Sequence, residues 1–294
     1  MLSRDETKAM AAIPVALAVA AAVAWAGSAG GRTILGFPVF AVLFAMAFLI
    51  QWVVFVPSFL LRSERFFDVT GSLTYVSVMA LAVAWSPPVD ARSALLLALV
   101  VVWAARLGTF LLRRVRRAGK DARFDQIKGS FWRLLLTWTL QGLWVSLTLA
   151  AGTAAITAGT RRPLGIPEAL GLGVWLIGFG LEALADEQKR RFQLVSANRG
   201  EFIRTGLWGR SRHPNYLGEI LLWTGVAAIS APVLRGWQWV TMVSPAFVAL
   251  LLTRISGIPI LEKRADKKWG GREDYETYKR NTPVLLPRLW KRQG

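Results

Sequence analysis

Apolar residues along this chain come in long runs, and polar residues come in blocks between them. The runs lie at about 10–29, 35–61, 67–86, 92–112, 132–159, 165–185, 215–233 and 237–258. Each is close to the roughly 20 residues that a helix needs to cross the hydrocarbon core of a bilayer. Inside lipid the backbone has to satisfy its own hydrogen bonds, so every run is expected to be a helix. The pattern predicts an all-α fold, a polytopic transmembrane helix bundle. The count is eight spans, or seven if the last two short runs form one re-entrant hairpin. The first run continues as Ala-rich sequence without a clear cleavage site, so it is expected to stay in the protein rather than to be removed as a signal. No soluble domain is evident. Residues 1–294 read as a single integral membrane domain, with residues 1–64 holding the N-terminal spans.

Composition agrees, with 54% hydrophobic residues and a mean hydropathy of +0.40. Cysteine is absent, which removes disulfides, thiolate catalysis, iron–sulfur clusters and cysteine-based zinc sites together. With one histidine and no cysteine, no metal site is expected.

The formal charge of +18 is placed unevenly. Arg62 and Arg65 follow the second run, and Arg113, Arg114, Arg116, Arg117, Lys120, Arg123 and Lys128 follow the fourth. A further basic block runs from Lys189 to Arg212, and another from Lys263 to Arg292. With eight spans all of these fall on the side of both termini, leaving Arg32, Arg92, Arg161, Arg162 and Arg235 opposite. The positive-inside rule makes the basic side, and with it the N- and C-termini, cytoplasmic. The basic side also suits anionic lipid headgroups. No nucleic-acid motif accompanies the charge, so no nucleic acid is expected as partner, and nothing calls for an obligate protein partner.

Ionisable residues in or beside spans are costly unless they are paired or useful. Asp68, Ser72 and Tyr75 open the third run at i, i+4 and i+7, on one helical face; Asp68 also reads as a helix N-cap. Arg106 lies within the fourth run and cannot lose its charge. It requires a carboxylate such as Asp68 or Glu182, a cage of carbonyls, or a ligand phosphate. Glu182, Asp186 and Arg190 share a face at the end of the sixth run, which as a bare pattern is also an i,i+4 ladder.

The densest polar segment is Arg204-Thr-Gly-Leu-Trp-Gly-Arg-Ser-Arg-His-Pro-Asn-Tyr-Leu-Gly-Glu219, just before the seventh run. Pro214 suits the first turn of a helix. Ser211 and His213 would then precede a helix N-terminus, whose free N–H groups favour an anion. Asn215 and Glu219 stand at i and i+4, with Tyr216 one step round, an arrangement able to hydrogen-bond a carboxamide, an adenine or a ribose. The arginines Arg114, Arg123, Arg190 and Arg204 suit phosphates through paired donors. Asn198 and the glycines at 200, 206 and 209 lie in the same connection. The chain has neither a Gly-x-Ser-x-Gly elbow nor a Rossmann glycine fingerprint, so hydrolase and Rossmann readings are set aside.

The run Arg212-His213-Pro214-Asn215-Tyr216-Leu217-Gly218-Glu219 resembles the steroid 5-alpha-reductase family, in its bacterial membrane branch. So do Gly206-Leu207-Trp208, the Asp186–Arg190 stretch and the pattern Arg106-Leu107-Gly108…Arg114…Asp121-Ala122-Arg123. The tail Glu262-Lys263-Arg264…Tyr275-Glu276-Thr277-Tyr278 is similar too. The resemblance covers about residues 65–287, a reductase-like region with a cytosolic-side cofactor site. It implies NADPH as cofactor and a lipophilic substrate taken from the bilayer, with reduction of a C=C bond conjugated to a ketone as in 3-oxo-steroids. It further implies that Asp186, Asn215 and Glu219 lie in the cofactor pocket, and it draws in Arg106, Asp121, Tyr275 and Tyr278. The eukaryotic enzymes polarise the ketone with a Gln-Glu pair and a Tyr; here Val54-Phe55 and Trp103 occupy the matching positions. Tyr75 with Asp68 is therefore the expected catalytic pair. Isoprenylcysteine carboxyl methyltransferases share a similar Arg-His-Pro-x-Tyr-x-Gly element, so an S-adenosylmethionine-dependent methyltransferase is the alternative. The expected location is a bacterial inner membrane.

Overall fold

The structure, a computed structural model, describes residues 3–118, 124–125 and 127–287. Its helices are α1 (Arg4–Gly27), α2 (Val39–Leu60), α3 (Phe67–Ala84), α4 (Ala91–Ala118), α5 (Phe131–Thr157), α6 (Ile166–Leu194), α7 (Pro214–Ser230), α8 (Val243–Leu250), α9 (Ile258–Trp269) and α10 (Glu273–Asn281). Among the described residues, eight helical segments are long and apolar enough to cross a membrane. The chain is an all-α, multi-pass membrane protein. Strand structure among the described residues is one short ribbon, Thr33–Ile34 against Phe37–Pro38. Its turn residues Leu35 and Gly36 both have positive φ, 50° and 82°, as the tightest hairpin turns require.

The eighth segment differs from its sequence pattern. The apolar run ends near 258, yet helical structure continues to Trp269. It is built of pieces: a 3-10 stretch Gly236–Met242, then α8, a π turn Leu251–Ile255, and α9. Pro259 sits in the first turn of α9. There it needs no backbone N–H and can start a helix, but it cannot continue one. Asp68 likewise is not an N-cap, a position held by Phe66. It lies in the first turn of α3, where a negative charge still favours the helix dipole, and its backbone oxygen accepts from Ser72 Oγ at 3.2 Å.

Where the sequence reads as one membrane domain, contacts gather the chain into two compact units. The first comprises Met1–Glu168 and Val226–Ser244, the second Ala169–Gly225 and Pro245–Gly294.

In the first unit α5 is the central helix. α1, α2, α3 and α4 all pack on it, and every residue from Val145 to Thr157 is buried. A helix covered all round has no face left for lipid, and its Ala, Gly, Ser and Thr residues let neighbouring backbones approach. Arg92 closes one end of this unit. It is 2% exposed; its Nε donates to the Ile229 carbonyl at 3.1 Å, its Nη1 to the Arg162 carbonyl at 3.0 Å, and its Nη2 pairs with Glu168. The other Glu168 oxygen accepts from the Gly165 amide at 2.7 Å. Every branch of the buried charge is thereby used, which is the condition for burying one at all.

In the second unit α6 and α7 touch through glycines. A Cβ on Gly178 would meet the Leu222 amide at 2.5 Å, and one on Gly218 would meet the Glu182 amide at 2.6 Å. Gly225 faces the Gly171 carbonyl in the same way, at 2.6 Å. Positions 171 and 178, and 218 and 225, are seven apart, two turns of helix. The result is a backbone-to-backbone seam, and it fixes the register of everything α6 and α7 carry.

Candidate nucleotide site

The site is built on the second unit, around the start of α7. α7 begins at Pro214, as the sequence predicts. The three residues before it are held by the chain's C-terminal tail. The Arg212 amide donates to the Pro283 carbonyl at 2.9 Å and the His213 amide to the Val284 carbonyl at 3.1 Å. Ser211 Oγ donates to the Leu285 carbonyl at 2.7 Å. Ser211, expected at a helix mouth that meets an anion, thus has its hydroxyl engaged by the tail.

His213 is 5% exposed. Its ring lies nearly parallel to Tyr216, with centroids 5.7 Å apart. Nε2 is 2.7 Å from Glu262 Oε1, and Arg212 Nη1 is 3.0 Å from the other oxygen of the same carboxylate. Glu262, from α9, therefore bridges the two basic residues of the Arg-His-Pro element. Asn215 Nδ2 donates to Asp186 Oδ1 at 3.2 Å, joining two of the expected site residues across the α6–α7 seam. Glu219 follows one turn further along α7.

Beside His213 opens a cavity of about 310 Å³, at the small end of the range for ligand pockets, about 300–1,000 Å³. Four cations line it, Lys189, Arg212, Arg264 and Lys268, with the carboxylates of Glu201 and Glu262. Its aromatic wall is Phe192, Phe202, Trp208, Trp269, Tyr275 and Tyr278. Four of the rings form a connected set: Phe202 lies 5.2 Å from Tyr275, 5.4 Å from Tyr278 and 5.8 Å from Trp269. Lys189 Nζ stands 4.7 Å above the Trp208 ring, and Lys268 Nζ 4.6 Å above that of Trp269.

The two tail tyrosines reach the cavity with their hydroxyls committed. Tyr278 donates to the Trp208 carbonyl at 2.8 Å, and Trp208 Nε1 donates to the Ala185 carbonyl at 3.0 Å. Burial pushes the Tyr278 hydroxyl up to about 12. Tyr275 donates to Asp266 at 2.9 Å, and burial together with that carboxylate raises its pKa as well. At the rim, Arg272 binds Glu201 at 2.7 Å and Asp274 at 3.0 Å and holds both carboxyls below their ordinary range.

Of the residues singled out from sequence, His213, Tyr275 and Tyr278 line the cavity, and Asp186, Asn215, Tyr216 and Glu219 belong to the α6–α7 pair beside it in the chain. Arg190 is clamped on Glu187 through two bonds of 2.6 and 2.7 Å. Arg204 reaches Asp274 at 3.5 Å. Asn198 donates to the Phe192 carbonyl at 2.9 Å and closes a turn. Asp68, Tyr75 and Arg106 lie on α3 and α4 of the first unit, with Tyr75 edge-on to Trp103 at 4.9 Å. Asp121 and Arg123 lie outside the described residues, as does the Arg114 side chain. Lys189, Glu262, Arg264, Lys268 and Trp269 belong to the site without having been read as part of it. The signal for the last four was the charged and aromatic segment of α9 that follows the last apolar run.

Fold and site together define a multi-pass membrane protein with a basic, aromatic-walled cavity at the start of its seventh span. Residues 54–282 match the family described as "Protein of unknown function (DUF1295)", and the chain belongs to that family. It is also similar to "Uncharacterized protein C594.04c" of Schizosaccharomyces pombe (strain 972 / ATCC 24843), with 27% identity over 174 residues. That match covers 47% of this chain and 49% of the yeast protein, so the chain spans about half the length of the relative it matches. No solved structure matches it.

Proposed function

We propose that this protein is an NADPH-dependent reductase of the steroid 5-alpha-reductase type, acting on a C=C bond conjugated to a ketone in a lipophilic substrate drawn from the bilayer. The observation that carries the reading is the cavity beside His213, where four basic side chains and six aromatic rings meet. Phosphates seek paired cationic donors, and an adenine or nicotinamide ring seeks aromatic faces. The resemblance of the Arg212–Glu219 run to those reductases supports the same assignment.

The donor set suits NADPH. Lys189, Arg212, Arg264 and Lys268 would hold its phosphates, Phe202 and Trp269 a base, and Asp186, Asn215 and Glu219 would orient the nicotinamide end. When bound, NADPH supplies a hydride to the β-carbon of the enone. The chain's part is to orient that group, to exclude water, and to stabilise the enolate oxygen with a proton donor. Tyr75, with Asp68 two turns before it on α3, is the proposed donor. The cavity side is proposed to face the cytoplasm of a bacterial inner membrane.

The methyltransferase alternative is disfavoured by charge. S-adenosylmethionine carries a cationic sulfonium and no phosphate, whereas the cavity sets four cations against two carboxylates. The test is thermal stabilisation of the purified protein by NADPH and by S-adenosylmethionine. It is followed by loss of nicotinamide absorbance with 3-oxo-4-ene steroids and other enones. Stabilisation by NADPH and turnover of an enone are expected; stabilisation by S-adenosylmethionine alone would reject the reductase.

A further inference from the structure

The turn between α2 and α3 carries a second cavity, in the first unit and independent of the nucleotide reading. The apolar run of α2 ends at Leu60 and Leu61, which are 73% and 69% exposed. Arg62 follows at once, then Ser63, Glu64, Arg65 and Phe66, and α3 starts at Phe67. A chain that passes from exposed leucines to an exposed arginine within one residue lies where hydrocarbon gives way to headgroups. Phe66, 48% exposed, brings it back to the apolar level.

The turn is held in one shape. The Leu61 amide donates to the Pro57 carbonyl at 2.9 Å, and the Ser63 amide to the Ser58 carbonyl at 3.0 Å. Ser58, 1% exposed, donates its hydroxyl to the Ser63 carbonyl in return. These bonds keep Arg62 at a φ of 46°, a conformation that residues with a Cβ rarely adopt. Beside the turn opens a cavity of about 470 Å³, lined by every residue from Leu61 to Phe66 and by Lys128.

The charges around that cavity are not used alike. Its carboxylate, Glu64, is 7% exposed and stands 3.7 Å from Lys128 Nζ, which Asp125 meets at 3.2 Å. Lys128 is thus served from within the protein. Arg62 and Arg65 are exposed, and neither guanidinium has an ion-pair partner among the described residues. Topology asks only for positive charge on one side of the membrane; it does not ask for two unpaired guanidiniums on one cavity of a fixed turn. Guanidinium binds phosphate through paired donors. A free phosphate would use the arginines and leave Leu60, Leu61 and Phe66 bare, whereas a phosphate that carries acyl chains uses both. We propose that the α2–α3 turn is a binding site for the headgroup of an anionic phospholipid, with Arg62 and Arg65 on its phosphate and Leu60, Leu61 and Phe66 against its acyl chains.

The test uses the full-length protein in neutral detergent, without nucleotide. An equimolar mixture of phosphatidylglycerol and phosphatidylcholine is added, and bound lipid is counted by native mass spectrometry. The first lipid retained is expected to be phosphatidylglycerol, by about tenfold. Arg62→Gln with Arg65→Gln is expected to abolish that preference. Arg4→Gln with Lys8→Gln removes two exposed charges that the sequence places on the same side, and is expected to leave it unchanged. Equal retention of the two lipids by the unmodified protein would overturn the proposal. So would a preference that survives the double variant at the turn, which would assign the lipid to another basic surface, or one that both double variants lower equally, which would leave a diffuse attraction. The comparison on the unmodified chain needs no variant, so a folding defect in either leaves it decisive. No arm contains nucleotide or enone, so its failure is separate from failure of the reductase reading.

Discussion

One carboxylate, Glu262 on α9, takes His213 on one oxygen at 2.7 Å and Arg212 on the other at 3.0 Å. The two basic residues lie at the start of α7, 49 positions earlier in the chain for His213. Arg212 is largely buried, so this carboxylate is its local counter-charge. Removing one partner of a buried pair leaves an uncompensated charge and costs about 3–5 kcal/mol. Because Glu262 is itself partly exposed, Glu262→Gln is expected to fall at or below the low end of that range. A melting curve in detergent checks it; an unchanged midpoint would mean that the bridge does not hold α9 to α7.

The cavity's cations should be readable in nucleotide binding. Lys268→Glu reverses a charge beside Trp269 and is expected to weaken NADPH at least tenfold, about 1.4 kcal/mol. The weakening should shrink as salt is raised, since the proposed interaction is with phosphate at a partly open cavity. Titration of intrinsic tryptophan fluorescence at two ionic strengths measures both.

The glycine seam predicts a steep dependence on side-chain size. A methyl group at Gly178 would sit 2.5 Å from the Leu222 amide. Gly178→Ala is expected to cost about 1–3 kcal/mol through overpacking, and Gly178→Val more. The same variants should weaken nucleotide binding, since the seam holds Asp186 against Asn215. A Gly173→Ala control, at a glycine with nothing within 4 Å of its would-be Cβ, is expected to leave the thermal midpoint and nucleotide affinity unchanged.

Arg92 and Glu168, neither of which has a part in the proposed chemistry, offer a double-mutant cycle. Glu168→Gln removes the counter-charge of the buried Arg92 and is expected to destabilise the first unit by about 3–5 kcal/mol. Changing both, Arg92→Met with Glu168→Leu, should recover part of the loss. The recovery is incomplete because the Ile229 and Arg162 carbonyls lose their donor. Thermal midpoints of the three variants and the parent give the coupling.

Alkaline pH tests the tail. Tyr278 has its folded pKa raised to about 12, against roughly 10 in an unfolded chain. A raised pKa means that its contribution to stability is complete below pH 10 and is lost as pH climbs through 12. Tyr278→Phe should lower stability at neutral pH, through loss of the bond to the Trp208 carbonyl, and should flatten the decline between pH 10 and 12. Parallel curves for the two proteins would show that Tyr278 does not titrate there.

Much of the architecture was legible because spans are long and their apolar runs are continuous. The eighth was the exception. Its last part carries Glu262, Lys263 and Arg264, charges that end the apolar run, although α9 continues the helical path of the span. The same charge density hid Glu262, whose partners are brought to it only by folding. A span's composition does not say which of its faces meets other helices. The glycines of α6 and α7 carry no meaning singly; they gain it when two helices 40 residues apart are laid together. Asn215 and His213 were placed together because residue type and spacing at a helix start already limit what they can touch.

The bonds from residues 211–213 to the tail tie the motif loop to chain made much later. The Ser211 hydroxyl donates to carbonyls 73 and 74 positions downstream. At roughly 5–20 residues per second, the ribosome finishes those positions about 4–15 s after the loop itself. For that interval α7 can already be threaded into the bilayer while the amides of Arg212 and His213 are still bonded to water. Maturation of the mouth is thus a late event in biosynthesis, timed by translation rather than by insertion.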